Sequence, residues 1–114
     1  MKNPDNVARG RRSKARSKTY ERSWAAVFHT SRETDGRGKS LPDAFITLPD
    51  GRVLGLEVKS RISANVGALM DEAIKKVAGT DVPPVLGLEL RRPGGNRRLV
   101  VMEQADFHAL LFPS

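Results

Sequence analysis

The sequence contains no cysteine, only two histidines and a single tryptophan. Without cysteine there is neither a disulfide framework nor a thiolate metal site, and two histidines are too few for the usual structural zinc site. No apolar run reaches the roughly 20 residues of a membrane-spanning helix. The basic amino terminus is not followed by the apolar stretch that a signal peptide needs. We therefore expect a soluble protein of the cytoplasm.

Charge is distributed unevenly over the 114 residues, a length that suits one domain. The 20 Lys and Arg residues outnumber the 13 Asp and Glu residues, for a formal net charge of +7. Residues 1–22 contain eight basic and two acidic residues, so most of the excess lies there. We predict a basic flexible arm over residues 1–17 and a folded domain over residues 18–114. Such an arm suits a nucleic-acid backbone, although a solvated tail has the same composition.

A first helix is predicted directly after the arm. Thr19 can cap it, and the helix should end before the polar run that starts at Thr30. Glu21 lies in its first turn, where an acid is explained either by the helix dipole or by a role at a metal site. The apolar residues on one side of this helix are Trp24, Ala25, Val27 and Phe28.

Two apolar segments around a Pro-Asp-Gly-Arg turn predict a β-hairpin. The strands cover residues 44–48 and 53–59. Pairing them brings Asp43, just before the first strand, to the same end of the sheet as Glu57. Side chains alternate faces along a strand, so Glu57 and Lys59 point to the same side.

Two carboxylates beside a lysine suggest a metal-dependent hydrolytic site. Mg²⁺ binds one or two carboxylates together with carbonyl oxygens and water, and an ammonium can orient the attacking water. Pro-Asp is also a common turn pair, and Glu-x-Lys a common pair on a solvent-facing strand. The apolar residues around Glu57 instead predict a largely buried strand, where charges need a reason, and this favours the catalytic interpretation.

A second amphipathic helix is predicted over about residues 65–78, capped by Ser63 or Asn65 and stopped by Gly79. Its apolar stripe predicts a core-facing side. The charged residues of its other face, which we interpret as solvated, are Asp71, Glu72, Lys75 and Lys76.

Two further strands are predicted over residues 84–90 and 98–102, joined as a hairpin by a glycine-containing loop. A strand, helix, strand order favours a parallel crossover. Residues 103–111 predict a short closing helix or an element that docks against a partner. The arginines that flank the second hairpin loop either bind phosphate or keep the sheet edge soluble, and they are Arg91, Arg92, Arg97 and Arg98.

These elements over about residues 17–102, with Pro42-Asp43 and Glu57-Val58-Lys59, resemble the PD-(D/E)XK nuclease superfamily. Within it the chain looks most like the small archaeal-type and phage Holliday junction resolvases. The resemblance implies an α/β fold, a single domain in which helices flank a mixed central β-sheet, with a restriction-endonuclease-like αβββαβ core.

The resemblance also implies roles for particular residues. Asp43 and Glu57 match the carboxylates that bind Mg²⁺ or Mn²⁺, and the Val58 carbonyl matches the usual main-chain ligand. Lys59 matches the catalytic lysine, and Glu21 the first-helix acid that often assists the metal.

By resemblance, the function is that of a metal-dependent DNA endonuclease, a dimeric resolvase acting on four-way junctions in DNA recombination and repair. The alternatives are another nuclease of the superfamily, of flap, repair or restriction type, or a non-catalytic nucleic-acid-binding protein. Ser31 or Ser40 would be the loop serine near the scissile phosphate. The residues expected to bind DNA are Arg9, Arg11, Arg12, Lys14, Arg16, Lys18, Arg37, Lys39, Ser40 and Arg61.

Overall fold

Helices and strands follow one another in the order αββαββα. The computed structural model describes residues 4–33 and 41–113, with side chains described from residue 16 onward. Within these ranges it forms an α/β domain in which three helices flank a four-stranded mixed sheet. The elements are α1 (Pro4–Val27), β1 (Ala44–Thr47), β2 (Val53–Arg61), α2 (Val66–Lys76), β3 (Pro84–Leu90), β4 (Arg97–Val101) and α3 (Gln104–Leu111).

The four strands lie side by side in chain order. The strands β1 and β2 pair antiparallel as the predicted first hairpin, and β3 and β4 pair antiparallel as the second. Between the two hairpins, β2 and β3 run parallel, with α2 as the crossover helix. Both predicted hairpins and the predicted crossover are therefore confirmed.

The αβββαβ order implied by the resemblance has three strands between the first two helices, whereas the described residues have two. Ahead of β1, the strand pairing of the described residues is limited to an isolated antiparallel bridge between Arg32 and Ala44. Next to it, the Glu33 N–H donates to the Asp43 carbonyl at 2.7 Å. Residues 34–40 lie outside the described ranges. The mixed sheet flanked by helices is confirmed, and its finer assignment is not.

The first helix begins much earlier than the sequence predicts. It starts at Pro4, so the predicted cap at Thr19 is wrong, and most of the predicted flexible arm belongs to α1. Alanine, arginine and lysine, which dominate residues 8–18, are among the best helix formers. The sequence pattern does not indicate this part of the helix, because a helix without an apolar stripe has no hydrophobic periodicity. Proline is also well suited to a helix's first turn.

The predicted end of α1 before Thr30 is confirmed. His29 adopts a left-handed conformation with φ 59°. The Thr30 N–H donates to the Ala25 carbonyl at 2.9 Å, and the His29 N–H donates to the Ala26 carbonyl at 3.1 Å. These two bonds form a Schellman-type cap that closes the helix without a glycine.

The carboxyl-terminal half of α1 covers one face of the sheet. Trp24 is 2% exposed, and a Cβ atom built on Gly87 of β3 would lie 2.9 Å from Trp24 Cε3. Only glycine therefore lets the indole approach this strand so closely. The buried core on this face consists of Trp24, Ala25, Ala44, Ile46, Leu54, Leu56, Val58 and Val85.

The crossover helix α2 covers the opposite face. Its cap is Asn65, one of the two predicted candidates, whose side chain accepts a hydrogen bond from the Ala68 N–H at 3.1 Å. The apolar stripe of α2 faces the core, as predicted, and it packs against residues of β3 and β4. The buried core on this face consists of Leu69, Met70, Ala73, Leu86 and Leu88.

The predicted closing helix forms as α3, but none of its residues is buried. The guanidinium of Arg52, in the first hairpin, donates to the carbonyls of Ala109 at 2.9 Å and Leu110 at 3.3 Å. Across residues 4–33 and 41–113, none of the helices combines the length and the apolar character needed to cross a membrane.

Candidate active site

Asp43 directly precedes β1 and lies across from Glu57 on β2. The register pairs Ala44 with Leu56, and its continuation by one residue sets the two acids opposite each other. Asp43 Oδ2 accepts a hydrogen bond from the Val58 N–H at 2.8 Å. Side chains directly opposite on antiparallel strands have Cβ atoms about 5 Å apart, and like charges there repel. The two predicted carboxylates are therefore neighbours, fixed by the hairpin itself.

Burial makes this pair of acids costly. Glu57 is only 3% exposed. The pKa of Asp43 is raised from 3.8 to about 6, first by burial and then by the hydrogen bond and the charge of Glu57, against the stabilising Val58 N–H. Two carboxylates held together in a site of low polarity attract a proton or a cation.

Glu21 extends this pair into a chain of three carboxyl groups. Burial, followed by a hydrogen bond with Asp43, raises its pKa, while Arg32 opposes the change. The Arg32 guanidinium Nε lies 2.8 Å from Glu21 Oε2. Glu21 therefore lies beside Asp43, and an arginine that sequence reasoning missed, Arg32, already pairs with it.

Lys59 lies on the same strand as Glu57, and its ammonium pairs with α2. Lys59 Nζ lies 3.4 Å from Glu72 Oε2, and Lys76 Nζ lies 3.9 Å from Glu57 Oε2. The two strand charges are thus matched by two helix charges of opposite sign. The interpretation of Glu72 and Lys76 as a merely solvated face is corrected, because both side chains contact the candidate site.

A signal for this match was present in the sequence. Four residues of helix rise about 6.0 Å, and two residues of strand about 6.6 Å. The crossover helix runs antiparallel to β2. A Glu and a Lys four residues apart on that helix can therefore each pair with the opposite charge of a Glu-x-Lys sequence on the strand. Glu72 and Lys76 have that spacing and order.

The residues present suit a hard divalent cation in part. Among the described residues, no group of three or more His, Cys, Asp or Glu side chains could hold a metal ion together. Asp43 and Glu57 nevertheless supply two adjacent carboxylates, which is the usual protein share for Mg²⁺ when water and phosphate complete the shell. The Val58 carbonyl leaves the strand on the same side as its N–H, towards Asp43. The donor chemistry therefore fits Mg²⁺ or Mn²⁺ held by two acids rather than three.

The predicted DNA-binding residues fall into three groups. Arg16 and Lys18 are exposed on α1, and Arg61 is exposed at the end of β2. The second group lies in α1 at positions without described side chains: Arg9, Arg11, Arg12 and Lys14. The third group lies outside the described residues: Arg37, Lys39 and Ser40. The alternative loop serine, Ser31, is exposed.

A second charged cluster, which sequence reasoning missed, lies on the α1 face of the sheet. Glu89 is 2% exposed, and its Oε1 accepts bonds from Trp24 Nε1 at 3.0 Å and Arg98 Nε at 2.9 Å. Its Oε2 accepts a bond from Asn96 at 3.0 Å. Arg98 also donates to Ser23 at 2.8 Å. All polar oxygens of Glu89 are thus satisfied within the fold.

We compared the chain with protein-family models, curated proteins and solved structures, and nothing matched in any of the three comparisons. Its function must therefore be inferred from the geometry of its own residues.

Proposed function

We propose that this protein is a metal-dependent DNA endonuclease whose active site is formed by Asp43, Glu57 and Lys59. The observation that carries the proposal is the 2.8 Å hydrogen bond from the Val58 N–H to Asp43 Oδ2. It joins the acid ahead of β1 to the strand that bears the other two groups. Two carboxylates and an ammonium are thereby collected at one end of the sheet, which is the donor set that phosphodiester hydrolysis requires.

Each residue has a chemical task in this proposal. Asp43 and Glu57 would hold Mg²⁺ or Mn²⁺ together with the Val58 carbonyl. The bound cation would supply a Lewis acid that stabilises charge on the phosphate oxygens. Lys59 would orient the attacking water, and its pairing with Glu72 limits the positions that the ammonium samples. Glu21 would hold Asp43 in place through their hydrogen bond.

The finer fold assignment is also part of the proposal. A helix, a hairpin bearing Pro-Asp and Glu-x-Lys, and a parallel crossover follow one another along the chain, and they would correspond to elements of a restriction-endonuclease-like core. The observed αββαββα sequence would be a reduced form of that core, with the bridge between Arg32 and Ala44 standing where a further strand could pair.

For the substrate, we propose branched DNA, and a four-way junction in particular, cut by a homodimer in DNA recombination or repair. Exposed basic residues on α1, Arg16 and Lys18, support binding of a phosphate backbone. Exposed apolar residues near the carboxyl terminus support self-association, since Val100 is 55%, Phe107 52% and Leu111 56% exposed. Two matched sites in a symmetric dimer suit two matched cuts.

A non-catalytic nucleic-acid-binding protein is the second candidate. The ion pairs of Glu57 with Lys76 and of Lys59 with Glu72 favour it, because they give the charged residues a structural use. A non-catalytic protein would bind DNA equally well with and without divalent cations and would leave it intact.

Labelled four-way junction, flap, duplex and single-stranded DNA, each incubated with and without Mg²⁺ or Mn²⁺, test the proposal. We expect cation-dependent cleavage, with the junction as the best substrate. Equal cleavage of duplex and junction would remove the resolvase assignment and keep the nuclease. Binding without cleavage of any substrate would leave the non-catalytic candidate.

A further inference from the structure

Four arginines meet at one end of the sheet, and we name them the arginine rim: Arg61, Arg91, Arg92 and Arg97. Arg61 is the last residue of β2, Arg91 and Arg92 directly follow β3, and Arg97 is the first residue of β4. The register brings them together, because Leu90 pairs with Arg61 on one side and with Arg97 on the other. The Arg91 N–H continues this ladder by donating to the Arg61 carbonyl at 2.8 Å.

The charge of the rim is not neutralised within the described part of the chain. No acidic side chain there forms an ion pair with any of the four arginines. Arg92 and Arg97 are exposed beside the loop that contains Gly94 and Gly95, both at positive φ. Clustered like charges repel one another unless an anion lies among them.

The neighbouring Arg98 shows the contrast. Its guanidinium is bound to Glu89 and Ser23 and lies 5.4 Å from the centroid of the Trp24 ring. Arg98 is therefore part of the fold, a role that differs from both possibilities that the sequence left open for these arginines.

Two orphaned polar atoms lie at the same end of the sheet. Ser60 Oγ and Arg91 Nε are the buried side-chain atoms without a hydrogen-bond partner among the described residues. The two residues lie at the ends of adjacent strands. Ser60 directly precedes Arg61, and the Arg91 N–H donates to the Arg61 carbonyl. Buried polar groups are rarely left unsatisfied, so these two donors distinguish this end of the sheet from the rest of the described fold.

We propose that the arginine rim binds the phosphate backbone of DNA beside the active site. Adjacent strands lie about 4.8 Å apart, so the rim spans about 10 Å from β2 to β4. A duplex carries one charge for about every 1.7 Å of its axis and presents several phosphates over that span. A single phosphate group would leave most of the rim unpaired.

The position of the rim gives this contact a role. Arg61 follows Glu57 by four residues on one strand, a separation of about 13 Å. A phosphate on the rim would therefore belong to DNA beyond the scissile position, and the rim would set the register of the substrate. This role rests on the proposed function, whereas the binding itself does not.

Binding of labelled duplex and four-way junction DNA in EDTA, where no cleavage occurs, tests the rim. Log affinity falls with log salt, and Arg97→Gln should make this slope less negative by about 0.9, and the double variant Arg92→Gln with Arg97→Gln by about 1.8. Lys75→Gln, which removes an exposed cation from α2, is the matched control and should leave the slope unchanged.

Equal slopes for Arg97→Gln and Lys75→Gln would overturn the proposal. Binding to vesicles of phosphatidylserine and phosphatidylcholine is measured as well. If Arg97→Gln weakened binding to these vesicles but not to DNA, the proposal would also be overturned, and the rim would be assigned to a membrane surface. If the rim variants change the slope but the wild-type protein cleaves no DNA, the nuclease proposal is wrong and DNA binding by the rim stands. If the protein cleaves DNA but the rim variants leave the slope unchanged, the nuclease proposal stands and DNA binding by the rim is wrong.

Discussion

Lys59 Nζ lies 3.4 Å from Glu72 Oε2, so the ammonium of the strand is paired with a carboxylate of the crossover helix. The pair is partly exposed, with 22% of the Lys59 side chain and 50% of the Glu72 side chain accessible. Exposed ion pairs contribute less than about 1 kcal/mol to stability. We therefore expect this contact to hold the Lys59 ammonium in position and to add little to the stability of the fold.

Glu72→Gln should reduce kcat about tenfold or more with little change in KM, because small misplacements of a catalytic group have large effects on rate. Glu72→Asp, which keeps the charge, should recover part of the loss. Asp71→Asn on the same helix is the matched control. Steady-state cleavage kinetics measure all three, and equal kcat values for Glu72→Gln and Asp71→Asn would show that the pair has no positioning role.

Asp43→Asn should stabilise the metal-free protein near neutral pH. Since folding raises the pKa of Asp43 from 3.8 to about 6, the folded state favours the protonated acid. The free energy of unfolding contributed by this group is therefore highest below pH 4 and falls as the pH rises to 6, by about 2 to 3 kcal/mol in total. Asparagine can still accept the Val58 N–H bond.

Urea denaturation from pH 3.5 to 8 measures this effect as the difference between wild type and variant. The difference should grow between pH 4 and 6 and then level off. An exposed-site control, Asp71→Asn, should show no such growth. A variant less stable than wild type at pH 7.5 would contradict the burial of two neighbouring carboxylates.

Mg²⁺ or Mn²⁺ should stabilise the wild-type protein, because a cation that binds only the folded state adds its binding free energy to folding. The gain is about 2.7 kcal/mol at a cation concentration 100 times the Kd. Asp43→Asn should lose this gain, and EDTA should reverse it. Thermal melts with NaCl at matched ionic strength separate binding from screening. An equal shift in wild type and variant would place the cation elsewhere.

Arg98→Ala should destabilise the fold by about 2 kcal/mol, because it leaves the buried Glu89 carboxylate with Trp24 and Asn96 as its remaining partners. Arg97→Ala, one residue away and exposed, should change the free energy of unfolding by less than about 0.5 kcal/mol, as is usual for surface sites. Urea denaturation of the two variants makes the comparison. Similar losses would mean that the Glu89 cluster does not stabilise the fold.

Local patterns predicted much of this fold. The predicted bounds of β3, residues 84–90, agree with the structure, because two prolines precede this apolar run and two arginines follow it. The hairpin that brings Asp43 to Glu57 follows from its turn and from strand alternation. These features depend on residues close together in the chain, where sequence patterns carry the most information.

What the sequence did not predict depends on distant contacts or on weak patterns. Arg98 and Trp24 meet around Glu89 although 74 positions separate them in the chain, and no periodicity marks such a cluster. The start of α1 at Pro4 was missed because helix propensity without an apolar stripe resembles a solvated tail. The pairing of Lys59 with Glu72 required the direction of the crossover helix as well as its spacing.

The proposed metal-dependent active site is tested most directly by Mg²⁺-dependent cleavage of labelled four-way junction DNA, with wild type compared with folded Asp43→Asn. Wild type should cut with Mg²⁺ or Mn²⁺ and not in EDTA. The variant should bind the junction but cleave at least about a hundredfold more slowly, the scale on which electrostatic transition-state stabilisation acts. Cleavage at equal rates by both proteins, or by neither, would contradict the account.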